Sequence, residues 1–173
     1  RRIHKIAFVE TKSASPNVYS GIHIPRIGAV LLATLLRESG YDVDVFCEDI
    51  TLLDTEEIFS ADIVGLSALT NTVQPAYKLA DQCRTRGIPT IMGGTHSTFK
   101  ADEALDHVDF VVKGEGEAPL LELLQTLEAG RSVEGIPNLS YWSGGRCGRG
   151  KKVHNPNRAF VQDLDSLPIP DFG

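Results

Sequence analysis

Ser67 and Leu69 close one apolar run, "ADIVGLS", and Gly93 and Gly94 close the next, "IPTIMGG", with a helical stretch between them. Around the first stand Thr70, Asn71 and Thr72; after the second come Thr95 and His96. Hydroxyls and amides donate and accept hydrogen bonds, and glycines without a Cβ let a ligand or another backbone come close. Either half alone is weak, since a Gly-Gly pair often marks nothing more than a tight turn. At the ends of two adjacent strands, separated by residues 70 to 92, they point to something lying across both loops. A third loop of the same character, Gly114-Glu115-Gly116-Glu117, follows the run "DFVV". Glu115 and Glu117 could be read as an acid/base pair. The better reading places Glu117 at the start of a helix, where the dipole favours a carboxylate, and leaves hydrogen bonding to a ligand open.

These loops need strands and helices to hold them. Ile3 to Val9, Asp42 to Cys47, Asp62 to Ser67, Pro89 to Met92 and Asp109 to Val112 are the candidate strands. Four are nearly continuous in apolar residues, as for strands covered on both faces; Asp42 to Cys47 alternates, as an edge strand does. Arg26 to Ser39 repeats apolar residues at Ile27, Val30, Leu31, Thr34 and Leu35 and stops at Gly40; Thr72 to Arg86 does so at Val73, Ala76, Tyr77, Ala80 and Cys83, with Asn71 as its N-cap and Gly87 as its stop. Glu117 to Ala129 is a third long helix ending at Gly130, and shorter helices fit near Asp54 to Phe59 and Phe99 to Asp106. Alternation of strand and helix predicts an α/β, flavodoxin-like or Rossmann-like doubly wound parallel sheet of five strands in the order 2-1-3-4-5. Ligands of such sheets bind beyond the carboxyl ends of the strands, where the polar loops lie. Residues 1–130 form this unit; residues 131–173 are predicted to be an appended β-hairpin around Ser143 to Arg146 and a proline-punctuated linker.

Composition narrows the function. A net charge of −6 and a pI near 5.3 provide no basic footprint for nucleic acid. No apolar run reaches the ~18 residues of a membrane span and no secretory core follows the start, so a cytoplasmic protein is expected. Cys47, Cys83 and Cys147 form no C-x-x-C, and the first two read as reduced core thiols. The start at Arg1 and the end at Pro168-Ile169-Pro170-Asp171-Phe172-Gly173 suggest a piece of something longer.

The first loop, "ETKSASPNVYSGIHIP" (10–25), exceeds the usual two to six residues and is expected to cover a site. It contains neither G-x-G-x-x-G nor a P-loop, which argues against dinucleotides and nucleoside triphosphates. A phospho-receiver needs an acidic cluster after strand 1 and an Asp after strand 3. Only Glu10 and Ser67-Ala68-Leu69 stand there.

The motif Ser67-x-Leu69, a helix, then Gly93-Gly94 resembles that of cobalamin-binding domains, in particular those preceding a radical S-adenosylmethionine (SAM) domain. The segments "IPRIGAVLLATLLRESGYDVDVF", "MGGTHSTFKADEAL" and "VDFVVKGEGEAPLLELL" are similar to that branch, and "DLDSLPIPDF" to the stretch leading into the radical barrel. The resemblance covers nearly the whole chain. It implies a corrin ring over the carboxyl edge of the sheet and a nucleotide tail descending between strands 1 and 3 to 4. Ser67, Leu69, Thr70, Gly93, Gly94, Thr95, His96, Gly114 and Glu115 would then be cofactor-binding. The [4Fe-4S] cluster and SAM would belong to a downstream domain, because this chain has no Cys-x-x-x-Cys-x-x-Cys. The implied activity, with that domain as partner, is radical chemistry such as methyl transfer to an unactivated carbon or phosphinate.

One feature of the wider family is missing. The Asp-x-His-x-x-Gly that supplies an axial histidine is absent, and the loop offers only His23, without the carboxylate that would orient it. His23 is therefore either a cobalt ligand or a loop-packing or solvent-facing residue. The alternative function keeps the fold without the cofactor, as a docking or substrate-selecting module.

Overall fold

The computed structural model describes residues 2–13, 26–145, 150–158 and 163–172. Its strands are β1 (Lys5–Glu10), β2 (Asp42–Cys47), β3 (Ile63–Ser67), β4 (Thr90–Gly93), β5 (Phe110–Val112), β6 (Leu139–Trp142) and β7 (Lys152–His154). Its helices are α1 (Ile27–Glu38), α2 (Thr55–Phe59), α3 (Val73–Thr85), α4 (Thr95–Phe99), α5 (Ala101–Ala104) and α6 (Glu117–Glu128). One sheet runs β2-β1-β3-β4-β5-β6-β7. The first five strands are parallel in the expected order, and β6 and β7 continue the sheet antiparallel. The described sheet thus has seven strands where five were expected. The hairpin is no appendage, because the open edge of β5 offers unpaired backbone groups that β6 satisfies.

Alternation along β1 divides the core. Ala7 and Val9 face α3, packing with Val64, Leu66, Met92, Tyr77 and Cys83; Ile6 and Phe8 face α1 and α6, packing with Ala33, Leu36, Leu120 and Leu124. β1 is buried along nearly its whole length and β2, at the edge, is mixed. The α3 stripe is buried as its spacing implies. The α1 stripe is not: Ile27 is 64% exposed, and the buried residues are Ala29, Val30, Ala33, Thr34 and Leu36. Residues 27–36 are apolar on nearly every side, so their spacing does not fix a phase.

Helix ends explain two further differences. The long helices stop at Gly40, Gly87 and Gly130, all at positive φ. At the start of α3, however, the N-cap is Thr72, not Asn71, and its side chain makes no capping bond. Thr72 Oγ1 instead accepts from the backbone N–H of Leu69 at 3.0 Å, tightening the loop after β3. The single helix expected over Phe99 to Asp106 is two, α4 and α5, which meet at Lys100 (φ −126°, ψ 43°). Helix starts three residues after Met92, so Thr95 and His96 belong to α4 and not to a loop.

Cys47 and Cys83 are free and buried, and burial pushes the Cys83 thiol up to about 11, as expected of an inert core thiol. Cys147 and His23 lie outside the described residues.

Candidate functional site

Strand register sets the site. Glu10 of β1 pairs with Ser67 of β3, and Ser67 pairs with Gly93 of β4, so the carboxyl ends stop level. Beside this row, between the sheet and helices α1 and α6, opens a cavity of about 260 Å³. Its walls are apolar, with Phe8, Leu32, Leu66, Ile91, Val112 and Leu120. Ser67, Gly93, Gly94, Gly114, Glu115 and Glu117 line it too.

The glycines are required for different reasons. Gly94 has φ +97°, and a Cβ there would stand 2.7 Å from the carbonyl oxygen of Ala68. Another backbone comes close, so Gly94 is fixed by the protein itself. At Gly93 the nearest atom to such a Cβ is Val112 O at 3.8 Å, which leaves room. Thr98 joins the two glycine loops: its hydroxyl donates to Gly94 O at 2.9 Å and accepts from Gly114 N–H at 3.0 Å.

The hairpin supports the third loop. Asn138, 6% exposed and at φ +63°, accepts from Lys113 N–H through its carbonyl (2.9 Å) and donates from Nδ2 to Glu115 O (3.4 Å). Lys113 donates to Asn155 O, and burial lowers its pKa.

At the β1 end, Arg26 ties three elements together. Its backbone N–H donates to Glu10 Oε2 (2.9 Å) and its guanidinium to Ser67 O (2.9 Å) and Thr72 Oγ1 (3.5 Å). Glu10 is 2% exposed, and its carboxyl also takes a hydrogen bond from the Cys47 side chain. Burial raises its pKa, an effect partly opposed by Arg26. Glu117, the first residue of α6, has a buried oxygen, Oε2, with no donor among the described residues.

The structure separates the nine cofactor-binding candidates into two groups. Ser67, Gly93, Gly94, Gly114 and Glu115 border the cavity. Leu69, Thr70, Thr95 and His96 lie past the strand ends on the α3 side. The first three of these are exposed; His96 is buried, with Nδ1 3.2 Å from Thr70 Oγ1 and Nε2 3.4 Å from Glu103 Oε1. His107 stacks on Tyr77 and pairs with Asp81, His154 contacts Ser140 and Asp102, and His4 is exposed. Among the described residues no three His, Cys, Asp or Glu side chains converge as a metal site. Nor is any helix long and apolar enough to cross a membrane.

Sequence reasoning missed the wall that β1, α1 and α6 supply to the cavity: Phe8, Gly28, Leu32 and Leu120. One signal was available. Gly65 interrupts an otherwise β-branched and apolar strand, and glycine inside a strand marks a close approach; here a Cβ would run into the ring of Phe8.

A family model described as "B12 binding domain" matches residues 18–124. The chain is 36% identical to an uncharacterized methyltransferase of Pyrococcus horikoshii, over 99% of this chain and 39% of that protein. It is 28% identical to an anaerobic magnesium-protoporphyrin IX monomethyl ester cyclase of Rubrivivax gelatinosus, over 91% of this chain and 31% of that protein. Its fold resembles the cobalamin-dependent SAM radical enzyme OxsB with aqua-cobalamin bound (TM-score 0.77, 18% identity, 97% of this chain and 24% of that one). It also resembles the radical SAM methyltransferase TsrM from Kitasatospora setae with cobalamin and a [4Fe-4S] cluster bound (TM-score 0.71, 20% identity, 97% and 32%). The chain therefore spans well under half the length of these relatives.

Proposed function

The chain belongs to the B12-binding domain family, and we propose that it holds cobalamin across the carboxyl edge of its sheet and presents it to a radical SAM domain of the same polypeptide. The observation that carries this reading is the cavity between α1, the sheet and α6. It is apolar inside and bordered by glycines, as the nucleotide tail of a corrinoid requires for a flat, largely apolar base threaded past backbone. Ser67 and the Gly93-Gly94 turn border the tail, and the Gly114-Glu115 loop borders the corrin amides. Bound cobalamin supplies a cobalt centre that can carry a methyl group, and the parent activity is methyl transfer. The [4Fe-4S] cluster and SAM reside in the following domain, and the whole protein works in the cytoplasm.

The rim supports a covered edge. Ile27, Ile50, Leu52, Leu69 and Phe99 are large apolar residues left exposed, Leu52 at 92% and Phe99 at 83%, and all five follow carboxyl ends of strands. Exposed apolar side chains gathered on one side of a molecule mark a binding face. The other two, Ile169 and Phe172, are in the segment after the hairpin.

Gel filtration after incubation with hydroxocobalamin, followed by the absorbance spectrum, tests the reading. Gly28→Trp is the matched variant: Gly28 lines the cavity, and a Cβ there meets no atom within 4 Å. The wild type retains corrinoid and Gly28→Trp does not, while its circular dichroism is unchanged. No retention by a folded wild type favours the cofactor-free docking module, which the missing Asp-x-His-x-x-Gly also suits.

A further inference from the structure

His96 is largely enclosed, and its two nitrogens decide what a neighbour can do. It is 8% exposed and sits between Thr70 and Glu103, with the ring of Tyr77 edge-on at 6.2 Å. A carboxylate has no proton to give, so across the 3.4 Å contact with Glu103 Oε1 the histidine must donate from Nε2. The Tyr77 hydroxyl donates to the same oxygen, and burial, reinforced by Glu103, raises its pKa and keeps it a donor. A neutral imidazole has one N–H. With Nε2 protonated, Nδ1 is a bare acceptor, and at 3.2 Å the Thr70 hydroxyl supplies the hydrogen.

The hydroxyl hydrogen of Thr70 is then spent inward. Thr70 itself is exposed beyond the end of β3, and only its oxygen lone pairs are left for a ligand. We propose that His96 is a positioning residue that fixes Thr70 as a one-way hydrogen-bond acceptor for a primary-amide N–H on the rim of a corrinoid. The inference rests on the cofactor reading above and gives it a direction: at Thr70 the site takes a donor and rejects a carboxylate.

Other charges near His96 do not change the assignment. Glu103 is its acidic neighbour from α5, and Tyr77 from α3 stays protonated. His107 and Asp81 pair with each other behind Tyr77, and Asp106 acts on Tyr77.

Two measurements test this. Two-bond proton–nitrogen NMR of the histidine rings in the wild-type chain without cofactor reads the tautomer directly. The Nε2–H form is expected at neutral pH, and an Nδ1–H form overturns the proposal. The second is binding of cobalamin and of its monocarboxylic acids, in which one peripheral primary amide is a carboxylate. One isomer should bind the wild type roughly tenfold or more weakly, the scale of an acceptor facing an acceptor. In His96→Phe, whose Thr70 hydroxyl is free to turn, that ratio should fall to within about threefold. Equal binding of every isomer by a wild type that retains cobalamin overturns the role of His96 and Thr70 alone. A wild type that retains no cobalamin overturns the cofactor reading and this inference together.

Discussion

Gly94 is pressed against Ala68: a Cβ at position 94 would stand 2.7 Å from the Ala68 carbonyl oxygen and 3.2 Å from its nitrogen. The turn after β4 is thus built on the loop after β3, and the two halves of the sequence motif hold one another before any ligand arrives. Gly94→Ala should cost about 2–4 kcal/mol, from the left-handed backbone and the overlap together. Gly93→Ala, with its nearest atom at 3.8 Å, should stay within about 1 kcal/mol. Urea denaturation of the two variants checks the contrast, and equal losses would contradict it.

Phe8 and Gly65 form a second such pair, on the cavity floor. The Phe8 ring occupies the space a side chain at 65 would need. Gly65→Ala alone should cost about 1–3 kcal/mol by overpacking. Combined with Phe8→Leu, the loss should be smaller than the sum of the two single changes. A double-mutant cycle measures that coupling, and strict additivity would show that the ring does not depend on the glycine.

Much of this was legible in sequence, and the failures have physical causes. The order of the parallel strands followed from alternation, and the level ends of β3 and β4 followed from where Ser67 and Gly93 stand. The extension by β6 and β7 was missed because short strands flanking a glycine-rich turn look alike whether they pair with each other only or also with an edge. The α1 face was misjudged because leucine, isoleucine and valine surround that helix. The helix side of the cavity, Leu32 and Leu120, was hidden for the same reason, since core and cavity wall use the same residues. His96 was placed among the ligand contacts. Its burial behind Thr70 depends on α4 beginning at Thr95, which the turn-like "GGTHST" does not announce.

The pH dependence of stability should bear the mark of Glu10. Its folded pKa is raised above the unfolded value of about 4.5 by burial, so the folded state binds this proton more tightly. The associated stability is complete below that unfolded value and is lost as pH rises through the folded pKa. At neutral pH the buried carboxylate is a burden, and Glu10→Gln should be more stable than the wild type. That advantage should shrink as pH falls from 7 towards 4.5, because the wild-type carboxyl takes up its proton. Parallel urea titrations at several pH values check the trend; an advantage that grows on acidification would reverse the sign assigned to Glu10.

Asn138 joins the hairpin to the Gly114-Glu115 loop, and its two roles can be separated. Its backbone at φ +63° suits asparagine or glycine, whereas alanine in that conformation costs about 1 kcal/mol more. Its side chain donates to Glu115 O and accepts from Arg158 N–H at 2.6 Å. Asn138→Gly keeps the backbone and removes both contacts, leaving Glu115 held by fewer bonds at the rim of the site. Cobalamin affinity should fall by about three- to tenfold, the scale of one or two hydrogen bonds. Asn138→Ala should show the same loss of affinity and be less stable than the glycine variant. Spectrophotometric titration beside thermal melting checks both. An affinity untouched in the glycine variant would mean that the hairpin braces the fold without acting on a cofactor.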